Sequence, residues 1–408
     1  MDAPVKQGGG NAIVQPKLRD HERGGLPGWT YFNDELMELE KEVLFRSHWQ
    51  LLGHVSDLPK AGDYLTFDLV GERAIAVRGK DGQIRCFHNV CRHRGSRVVA
   101  DRLGHCKSAI VCPFHGWAYN LDGTLRGAPA PRSLPSLDPH SHGLLPLEFE
   151  IWQGFIFVRF HKGSQSSVSS LLERWEPVFG RYECARATAL GLHWEVETAA
   201  NWKAVRDVDN EGYHVPIAHP ALYDLYGRNY VDELPGGGLS RATGRFNTGP
   251  GRSWSVRHYR KLRPPPPKAL GEDGDAWVYI GIFPNTVFML YPEQIGYYQE
   301  WPVTIERTVQ RGNYYGLADE RREMKLARYL VNRIDRETAR EDTQLIVWSS
   351  EAMKSAAFPG IILSDFESGV RYYHDELRAV IPVYGEVSEP APGSVKALNN
   401  ELAAARGA

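Results

Sequence analysis

Four side chains in two short segments constrain the fold of this 408-residue chain more than any other feature of its sequence. Cys91 and His93 form a C-x-H pair, and after 18 intervening residues Cys112 and His115 form a C-x-x-H pair. Each pair lies on a short loop between β-like runs. Two such loops side by side would offer two thiolates and two imidazoles, a set that suits either zinc or an iron–sulfur cluster.

The stretch from about residue 50 to residue 160 has the pattern of a small all-β domain. Short alternating runs such as DYLTFDLV and RAIAVRG are separated by turns, and Asp81-Gly82 and Asp122-Gly123 are typical of hairpins. Before it, apolar residues at helical spacing predict a helix over residues 34–49. Residues 1–17 are rich in glycine and polar residues, and we expect them to be mobile.

Beyond residue 160, helical and strand-like patterns are mixed, which predicts an α+β domain. Antiparallel strands are predicted over residues 276–316, with turns at Pro284-Asn285 and from Glu293 to Gly296. Helices are predicted over residues 168–180, 201–226 and 318–354. We therefore predict an N-terminal segment with a mobile start (1–40), an all-β domain (41–160) and an α+β domain (161–408).

The overall composition excludes several classes of protein. Lys and Arg number 48 against 50 Asp and Glu, so no basic excess points to nucleic acid. No apolar run approaches the roughly 20 residues that cross a bilayer, and the N-terminus lacks the apolar core of a secretory signal. Five cysteines are too few and odd in number for a disulfide scaffold. We expect a cytoplasmic protein with neither a nucleic acid nor a membrane as partner.

A second candidate metal site lies in the segment NWKAVRDVDNEGYHVPIAHPAL, residues 201–222. His214 and His219 are five residues apart, which places them on different faces of a regular helix. Pro216 lies between them and must bend or end the helix, so both rings could reach one ion. Two imidazoles with one carboxylate form the facial triad of non-heme Fe(II) oxygenases. Taken alone, such a pair is more often two unrelated histidines.

The carboxylate must come from elsewhere, and the predicted C-terminal helix offers three candidates: Asp335, Glu341 and Asp342. Asp342 shares a mostly apolar face with the residues 3, 4, 7 and 11 positions later, so it should point inward. A buried carboxylate needs a partner such as a metal. The face of Glu341 is nearly as apolar, so periodicity favours Asp342 only slightly.

The first constellation has two features that favour a cluster over zinc. In a Rieske [2Fe–2S] centre two histidines replace two cysteines on one iron, whereas zinc fingers usually pair Cys with Cys and His with His. Gly95, Pro113 and Gly116 would let backbone amides approach the sulfur atoms. The motifs CRHRG and CPFHGW resemble Rieske domains. The remaining cysteines Cys86, Cys106 and Cys184 are expected to be small buried hydrophobes, and His88 and His105 to be non-ligands.

The second segment resembles the catalytic segment of Rieske non-heme iron oxygenases. The family pattern N-W-K-x-x-x-[ED]-x-x-x-[DE]-x-Y-H-x-x-x-x-H is met by Asn201, Trp202, Lys203, Asp207, Glu211, Tyr213, His214 and His219. The family's third iron ligand is the Asp of a Glu-Asp pair on a C-terminal helix, which implies Asp342. Val208 departs from the Asn of many relatives. The resemblance covers about residues 40–380 and implies a terminal oxygenase (alpha) subunit with a helix-grip type of catalytic domain.

The resemblance also implies a role for Glu211. In the homotrimers of this family, the cluster of one subunit lies near the iron of its neighbour, and an acidic residue at this position bridges a cluster histidine and an iron histidine. Most aromatic-ring dioxygenases carry Asp here. Glu is typical of the relatives that act on quaternary ammonium compounds such as stachydrine, glycine betaine, carnitine and choline.

The implied activity is that of a Rieske-type monooxygenase and demethylase. Electrons would come from NAD(P)H through a separate flavin/iron–sulfur reductase, because the sequence has no nucleotide-binding glycine motif of its own. The cluster would pass them to a mononuclear Fe(II), which activates O₂. The most probable reaction by resemblance is oxidative N-demethylation of a betaine-like substrate, such as proline betaine, glycine betaine or carnitine.

Two alternatives remain open. One is a dioxygenase that hydroxylates an aromatic acid, and the other is a zinc-stabilised module without redox chemistry. Eight of the 26 residues from 276 to 301 are aromatic. They could form a cage for a methylated ammonium by cation–π attraction, but packing of strand residues in a core is the favoured explanation, because aromatic residues are common in strands.

Overall fold

The computed structural model describes residues 18–407, and the predicted mobile start at residues 1–17 lies outside them. The first helix is α1 (Asp34–Glu40), where the side chain of Asn33 accepts a hydrogen bond of 2.8 Å from the backbone of Leu36. It continues as a single π-helical stretch, Lys41–Phe45. The helix predicted over 34–49 therefore ends four residues early, because the chain enters its first strand at Gln50.

The region from residue 50 to residue 160 is all-β, as predicted. Its hairpin turns include Gly82 and Gly123, whose positive φ angles of 79° and 87° favour glycine. The strands form one sheet of order β4-β3-β2-β5, one of order β6-β7-β8 and one of order β1-β10-β9. Their bounds are β1 Gln50–His54, β2 Asp63–Leu69, β3 Glu72–Arg78, β4 Ile84–His88, β5 Leu103–His105, β6 Ile110–Val111, β7 Ala118–Tyr119, β8 Leu125–Gly127, β9 Glu148–Trp152 and β10 Phe155–Arg159.

The region after residue 160 is α+β and is built on one antiparallel sheet of order β11-β18-β17-β16-β15-β14-β13, with β12 also paired to β18. The helix predicted over 201–226 is three separate helices. The elements are α2 Val168–Leu171, α3 Glu176–Arg181, β11 Thr188–Ala189, β12 Trp194–Thr198, α4 Trp202–Asp209, α5 Val215–Ala218, α6 Pro220–Tyr226, β13 Tyr230–Gly236, β14 Leu239–Arg245, α7 Trp254–Leu262, β15 Ala276–Ile282, β16 Thr286–Tyr291, β17 Gln294–Thr304, β18 Arg307–Gly316, α8 Arg322–Ala352, α9 Ser368–Val380 and α10 Val395–Gly407. Among these helices, none combines the length and apolar character that crossing a bilayer requires.

The two faces of the large sheet differ, because side chains alternate along each strand. One face carries Ile280, Phe288 and Ile295, which pack in a common core with Phe155 and Phe157 of β10. The small sheet β1-β10-β9 thereby joins the all-β region to the large sheet. The predicted boundaries at residues 40 and 160 remain a prediction, and side-chain packing crosses both of them.

The opposite face of the large sheet, here called the covered face, carries tyrosines and glycines together with the apolar side chains of Trp277 and Met289. The strands come close to their neighbours at Gly296, where a Cβ atom would lie 2.8 Å from the ring of Tyr314. Helices α4, α6 and α8 cover the face. Several polar side chains between the covered face and these helices are only partly buried. They are Asp209, Tyr230, Tyr279, Tyr298 and Asp335.

The start of α4 is anchored to the N-terminal segment by a buried polar network. Glu40 of α1 accepts hydrogen bonds of 2.6 Å from the ammonium of Lys203 and from the indole of Trp202, and it also contacts the hydroxyl of Tyr384. Asn201 caps α4 by accepting a hydrogen bond of 3.0 Å from the backbone of Lys203. The N-W-K part of the sequence motif therefore positions the helix that leads to the two histidines.

Candidate metal centres

The four Cys and His residues of the first constellation lie on two loops with the same construction. In one loop the amide of Gly95 donates to the carbonyl of Cys91, and in the other the amide of Gly116 donates to the carbonyl of Cys112, each at 3.0 Å. Both glycines have positive φ angles, 74° and 72°. This geometry turns each loop back on itself and directs both pairs of ligands towards the same space.

The sulfur and nitrogen ligands differ in their exposure. Cys91 and Cys112 are buried, whereas His93 is partly exposed and His115 is exposed. The two imidazole rings meet edge to face with centroids 4.6 Å apart. The hydroxyl of Tyr119 lies 3.2 Å from the Sγ atom of Cys91, a polar contact to sulfur that the sequence did not reveal. The imidazole side of this site therefore faces the surface.

The arrangement fits a two-iron cluster better than a single zinc ion. Four ligands of one tetrahedral zinc lie roughly 3.5 Å apart. Among the residues that the structure describes, only His214, His219 and Asp342 bring three ligating atoms within 4.8 Å of one another. The Cys and His atoms of the two loops are more widely spaced, as two irons bridged by sulfide require.

The other cysteines and histidines near these loops have separate environments. Cys86 and Cys184 are buried, as expected, and burial raises the pKa of both thiols. Cys106 is only partly buried because it follows the short strand β5 at the edge of its sheet. His105 lies 2.8 Å from a carboxylate oxygen of Asp63, and His88 lies 3.7 Å from one of Glu72.

The second constellation converges on one point, as predicted from Pro216. His214 precedes the single turn of α5 and His219 ends it, so the proline lies in the first turn of a short helix. The Nε2 atoms of the two histidines are 3.0 Å apart. Asp342 reaches them from α8, with Oδ1 at 2.8 Å from Nε2 of His219 and 3.5 Å from Nε2 of His214.

These three atoms fit a metal ion. Ligands about 2.1 Å from an ion and at right angles to one another lie roughly 3 Å apart, which matches the observed separations. The Oδ1 atom of Asp342 is buried and has no hydrogen bond of good geometry. Burial alone would raise the pKa of Asp342, but the two histidines hold that pKa below its usual value. For His214, burial acts to lower the pKa. The carboxylates of Asp342 and Glu211 outweigh this effect and raise the pKa of His214 to about 10.

Each histidine is held from behind by a glutamate. Glu211 contacts Nδ1 of His214 and also accepts a hydrogen bond of 3.1 Å from its backbone amide. Glu341 has an oxygen 2.8 Å from Nδ1 of His219. Carboxylates that bind the far nitrogen of a ligating imidazole fix its tautomer and orientation. Glu341 therefore contacts a histidine and lies outside the group of three possible metal ligands. The sequence analysis did not assign this role to Glu341.

The third carboxylate candidate on α8, Asp335, lies away from the histidines. Its two oxygens accept hydrogen bonds of 3.1 Å from the hydroxyls of Tyr291 and Tyr314. Burial raises its pKa to about 7. Asp207, which matches the family pattern, also lies outside the site and accepts a hydrogen bond of 2.6 Å from Tyr31.

Several carboxyl groups lie between the large sheet and the helices that cover it. Burial raises the pKa of Asp209 well above its usual value, with repulsion by Glu300 in the same direction, and raises the pKa of Asp232 to about 7. Burial also raises the pKa of Glu300. Arg206 supplies a positive charge on this side of the sheet, with Nη1 3.7 Å from Glu300. Burial is the first cause of each raised pKa, because it disfavours the ionised carboxylate.

Sequence comparisons identify both regions. The Rieske [2Fe-2S] domain matches residues 48–138, and the ring hydroxylating alpha subunit (catalytic domain) matches residues 186–382. The carnitine monooxygenase oxygenase subunit of Acinetobacter pittii is 34% identical over 199 residues, which are 49% of this chain and 53% of that protein. The chain thus spans about half the length of that relative. The corresponding subunit of Escherichia coli K12 is 28% identical over 87% of this chain and 93% of its own length.

The fold is that of a solved quaternary ammonium Rieske monooxygenase, studied for carnitine oxidation by gut microbiota and inter-subunit electron transfer. The TM-score is 0.75 at 24% identity, over 90% of this chain and 100% of that one. Fold and sites together define a protein with an iron–sulfur centre and a separate mononuclear iron centre. The chain belongs to the Rieske non-heme iron oxygenase family, as an oxygenase alpha subunit.

Proposed function

We propose that this protein is the terminal oxygenase of a multicomponent system that removes a methyl group from a betaine-like quaternary ammonium compound. Its electrons would come from NAD(P)H through a separate flavin/iron–sulfur reductase. Support comes from the family and from the relatives, which are named as carnitine monooxygenase oxygenase subunits. The observation that carries the choice of substrate is the covered face of the large sheet, whose tyrosines and carboxyl groups suit a cation.

We assign the ligands from the two constellations. Cys91, His93, Cys112 and His115 would hold the [2Fe–2S] cluster, and His214, His219 and Asp342 would hold the mononuclear iron. Such an iron leaves coordination positions open for O₂ and substrate and supplies the oxidising chemistry when it is bound. The glutamates Glu211 and Glu341 then keep the Nδ1 protons of the two histidines in place.

The carboxyl groups between the large sheet and its helices argue for a cationic substrate on electrostatic grounds. They are Asp209, Asp232, Glu300 and Asp335, and burial raises the pKa of each. A bound cation would stabilise their ionised forms and would be stabilised by them. The ring faces of Tyr279 and Tyr298 border the same space and can attract a methylated ammonium. Arg206 pairs with Glu300, and its Nε and Nη1 atoms make no hydrogen bond among the described residues, so they could donate to the carboxylate of a betaine.

The overall reaction balances with water and formaldehyde as products. One N-methyl group, O₂, two electrons and two protons give an N-hydroxymethyl group and water. The N-hydroxymethyl compound then loses formaldehyde and a proton, and the remaining amine keeps the electron pair of the broken C–N bond. Helices α4, α6 and α8 pack over this face of the sheet and would limit access of bulk water, which would limit wasteful reduction of O₂.

In a homotrimer like those of the family, Glu211 would have a second role, as a bridge between His214 and a cluster histidine of the neighbouring subunit. The exposed ring of His115 suits such a contact, and Phe114 beside it is 56% exposed. Near the iron histidines, Tyr213 and Phe366 stack on the surface at 5.8 Å and are both more than half exposed. Two exposed apolar patches next to the two centres favour contact between copies of the chain.

The activity is tested by incubating the purified protein with a compatible reductase, NADH and O₂. We expect formaldehyde from carnitine, glycine betaine or proline betaine, in step with NADH consumption. The matched control is the same mixture with Asp342→Ala protein, which should release no formaldehyde. A hydroxylated product from an aromatic acid, with no turnover of any betaine, would assign the protein to the aromatic-ring branch instead.

A further inference from the structure

A groove lies where the Rieske region meets the large sheet. On one side it is lined by β2, β3 and the segment after the first cluster loop, and on the other side by β12, β17 and β18. Its volume is about 520 Å³. None of the ligands that we propose for the two metal centres lines it, so the groove belongs to neither centre.

One wall of the groove contains a buried cation without a carboxylate partner. Arg311 is 1% exposed, and its guanidinium lies over the rings of Trp301 and Phe67, at 3.8 and 4.9 Å from their centroids. Its hydrogen bonds go only to neutral oxygens, those of the Gln299 amide and of backbone carbonyls in β1. Burial lowers the pKa of Arg311 to about 10, and Arg102 acts in the same direction. A buried charge of this kind is stabilised by an anion.

A second guanidinium lines the same groove. The side chain of Arg102 makes no hydrogen bond and no ion pair within the described part of the chain. Its backbone is fixed, because its carbonyl accepts a hydrogen bond of 2.8 Å from the amide of Thr66. Arg102 and Arg311 also both lower the pKa of His193, on which burial acts first. The two guanidiniums are therefore close enough to act on the same neighbour.

Three carboxylates also line the groove, and two of them already have cationic partners. Asp68 forms an ion pair with Arg97, and Glu72 lies 3.7 Å from the guanidinium of Arg46. The third is Glu195, whose side chain is 53% exposed and forms no ion pair with either of the two guanidiniums. Two uncompensated cations thus face one exposed carboxylate, which leaves the groove attractive to an anion.

The rest of the groove is largely apolar. Its apolar lining residues are Phe67, Leu69, Trp301, Pro302, Val303 and Val309. An inorganic oxyanion would use only the guanidiniums. A carboxylate with an apolar body would use both the guanidiniums and the apolar walls, because burial of each methylene group adds to its affinity.

We propose that this groove is a second binding site, for an organic carboxylate with an apolar body, in which Arg102 and Arg311 bind the carboxylate group. This inference goes beyond the proposed function, because the site is separate from the iron and its ligand need not be the substrate. Arg311 joins β1 to β17 through its hydrogen bonds. A bound carboxylate would therefore stabilise the junction between the Rieske region and the large sheet.

The test measures binding of hexanoate to the metal-loaded protein by calorimetry, in a buffer without other carboxylates. Inorganic phosphate and 1-hexanol are the comparison probes, since the first lacks the apolar body and the second lacks the charge. We expect saturable binding of hexanoate, with a rise in melting temperature. Phosphate should bind about tenfold more weakly, because burial of two methylene groups is worth about that factor. 1-Hexanol should show no saturable binding.

Two variants place the ligand in the groove. Arg102→Gln should weaken binding of hexanoate by about tenfold, the effect of losing a hydrogen bond to a charged group. Val303→Asp should weaken it as well, because it adds a negative charge to a wall residue that is 40% exposed and tolerates a polar side chain. Arg307→Gln is the matched control, since Arg307 lies on β18 outside the groove and its loss changes the net charge equally.

The affinity of Arg307→Gln for hexanoate should equal that of the wild type. An unchanged affinity in Arg102→Gln overturns the inference, as does an equal loss in Arg307→Gln. Phosphate that binds as tightly as hexanoate refutes the assignment to an organic carboxylate, and a wild-type protein without saturable hexanoate binding refutes the site. Visible spectra of the cluster and melting temperatures verify that the variants are folded. Formaldehyde release from betaines tests the proposed function separately.

Discussion

The two metal centres of this protein are built in different ways. The ligands that we propose for the cluster come from two loops within a stretch of 25 residues, and their imidazoles face the surface. The ligands that we propose for the iron come from the two ends of α5 and from α8, more than a hundred residues later, and they are partly or fully buried. An electron can cross a protein surface, whereas activation of O₂ must be kept from water. The exposure of each centre matches its task.

The centres also differ in what holds their ligands. Backbone hydrogen bonds and two glycines shape the cluster loops. The iron histidines are instead held by side chains, with Glu211 behind one ring and Glu341 behind the other. Substitutions of the side chains around the iron histidines should therefore weaken iron binding by different amounts. Substitutions in the cluster loops should act through the loop geometry and the contacts to sulfur.

The largest effect that separates the two centres is expected from Asp342→Ala. Loss of the one carboxylate that faces both histidines should abolish binding of the mononuclear iron, and the visible bands of the cluster should persist. Iron and acid-labile sulfide analysis measures both. Glu337→Ala on the same helix, whose carboxylate contacts Ser255, is the control and should keep all iron. Full retention of iron in Asp342→Ala would reassign the third ligand.

Glu211→Gln should leave both metals in place and slow electron transfer between them. The amide keeps the size of the side chain but cannot accept hydrogen bonds from two imidazoles as a charged group. We therefore expect the rate of electron transfer to fall by about 100-fold, the upper end of the effects known for carboxylates that contact a metal ligand. Rapid-mixing oxidation of the reduced cluster by O₂ in a single turnover gives the rate. An unimpaired rate would remove the bridging role.

Glu341→Gln should weaken iron binding by about tenfold, because the charged partner of Nδ1 of His219 is replaced by a neutral one. Competition with a chelator, followed by iron analysis, measures the affinity. The cluster spectrum serves as the internal control. A change as large as that of Asp342→Ala would indicate that Glu341 itself binds the metal.

The smallest effect is expected at the cluster. Tyr119→Phe removes the hydroxyl that lies 3.2 Å from the sulfur of Cys91. A neutral hydrogen bond is worth about 1 kcal/mol, or roughly 40 mV for a one-electron couple, so the reduction potential should fall by that amount. Voltammetry of the purified protein gives the value. Iron binding at the other centre should not change, and a rise in potential would contradict the expectation.

The sequence predicted the cluster region well because its information is local. Spacing of Cys91, His93, Cys112 and His115 along two hairpin loops is nearly sufficient to describe the site. The histidine pair was also predicted, although the mechanism differs from a bent helix. Here Glu211 accepts from the backbone amides of Tyr213 and His214 and separates α4 from α5. That hydrogen bonding depends on side-chain geometry and is not visible in hydrophobic periodicity.

The choice between Asp342 and Glu341 could not be made from periodicity, because both contact His219, from opposite sides of its ring. The composition of the covered face was also beyond sequence reasoning. It depends on which glycines and tyrosines of neighbouring strands share a face, as Gly296 and Tyr314 do. Such registers are set by the assembled sheet.

The contact between Glu40 and Lys203 has a consequence for how the chain can be shortened. Burial lowers the pKa of Lys203, and Glu40 counteracts this effect. A fragment that started after residue 45 would retain every metal ligand, yet it would leave an ammonium group without its counter-ion at the root of the histidine-bearing segment. Removal of one partner of a buried ion pair typically costs about 3–5 kcal/mol. Helix α1 is thus an integral part of the catalytic region that follows residue 160, although the entire Rieske region lies between them in the sequence.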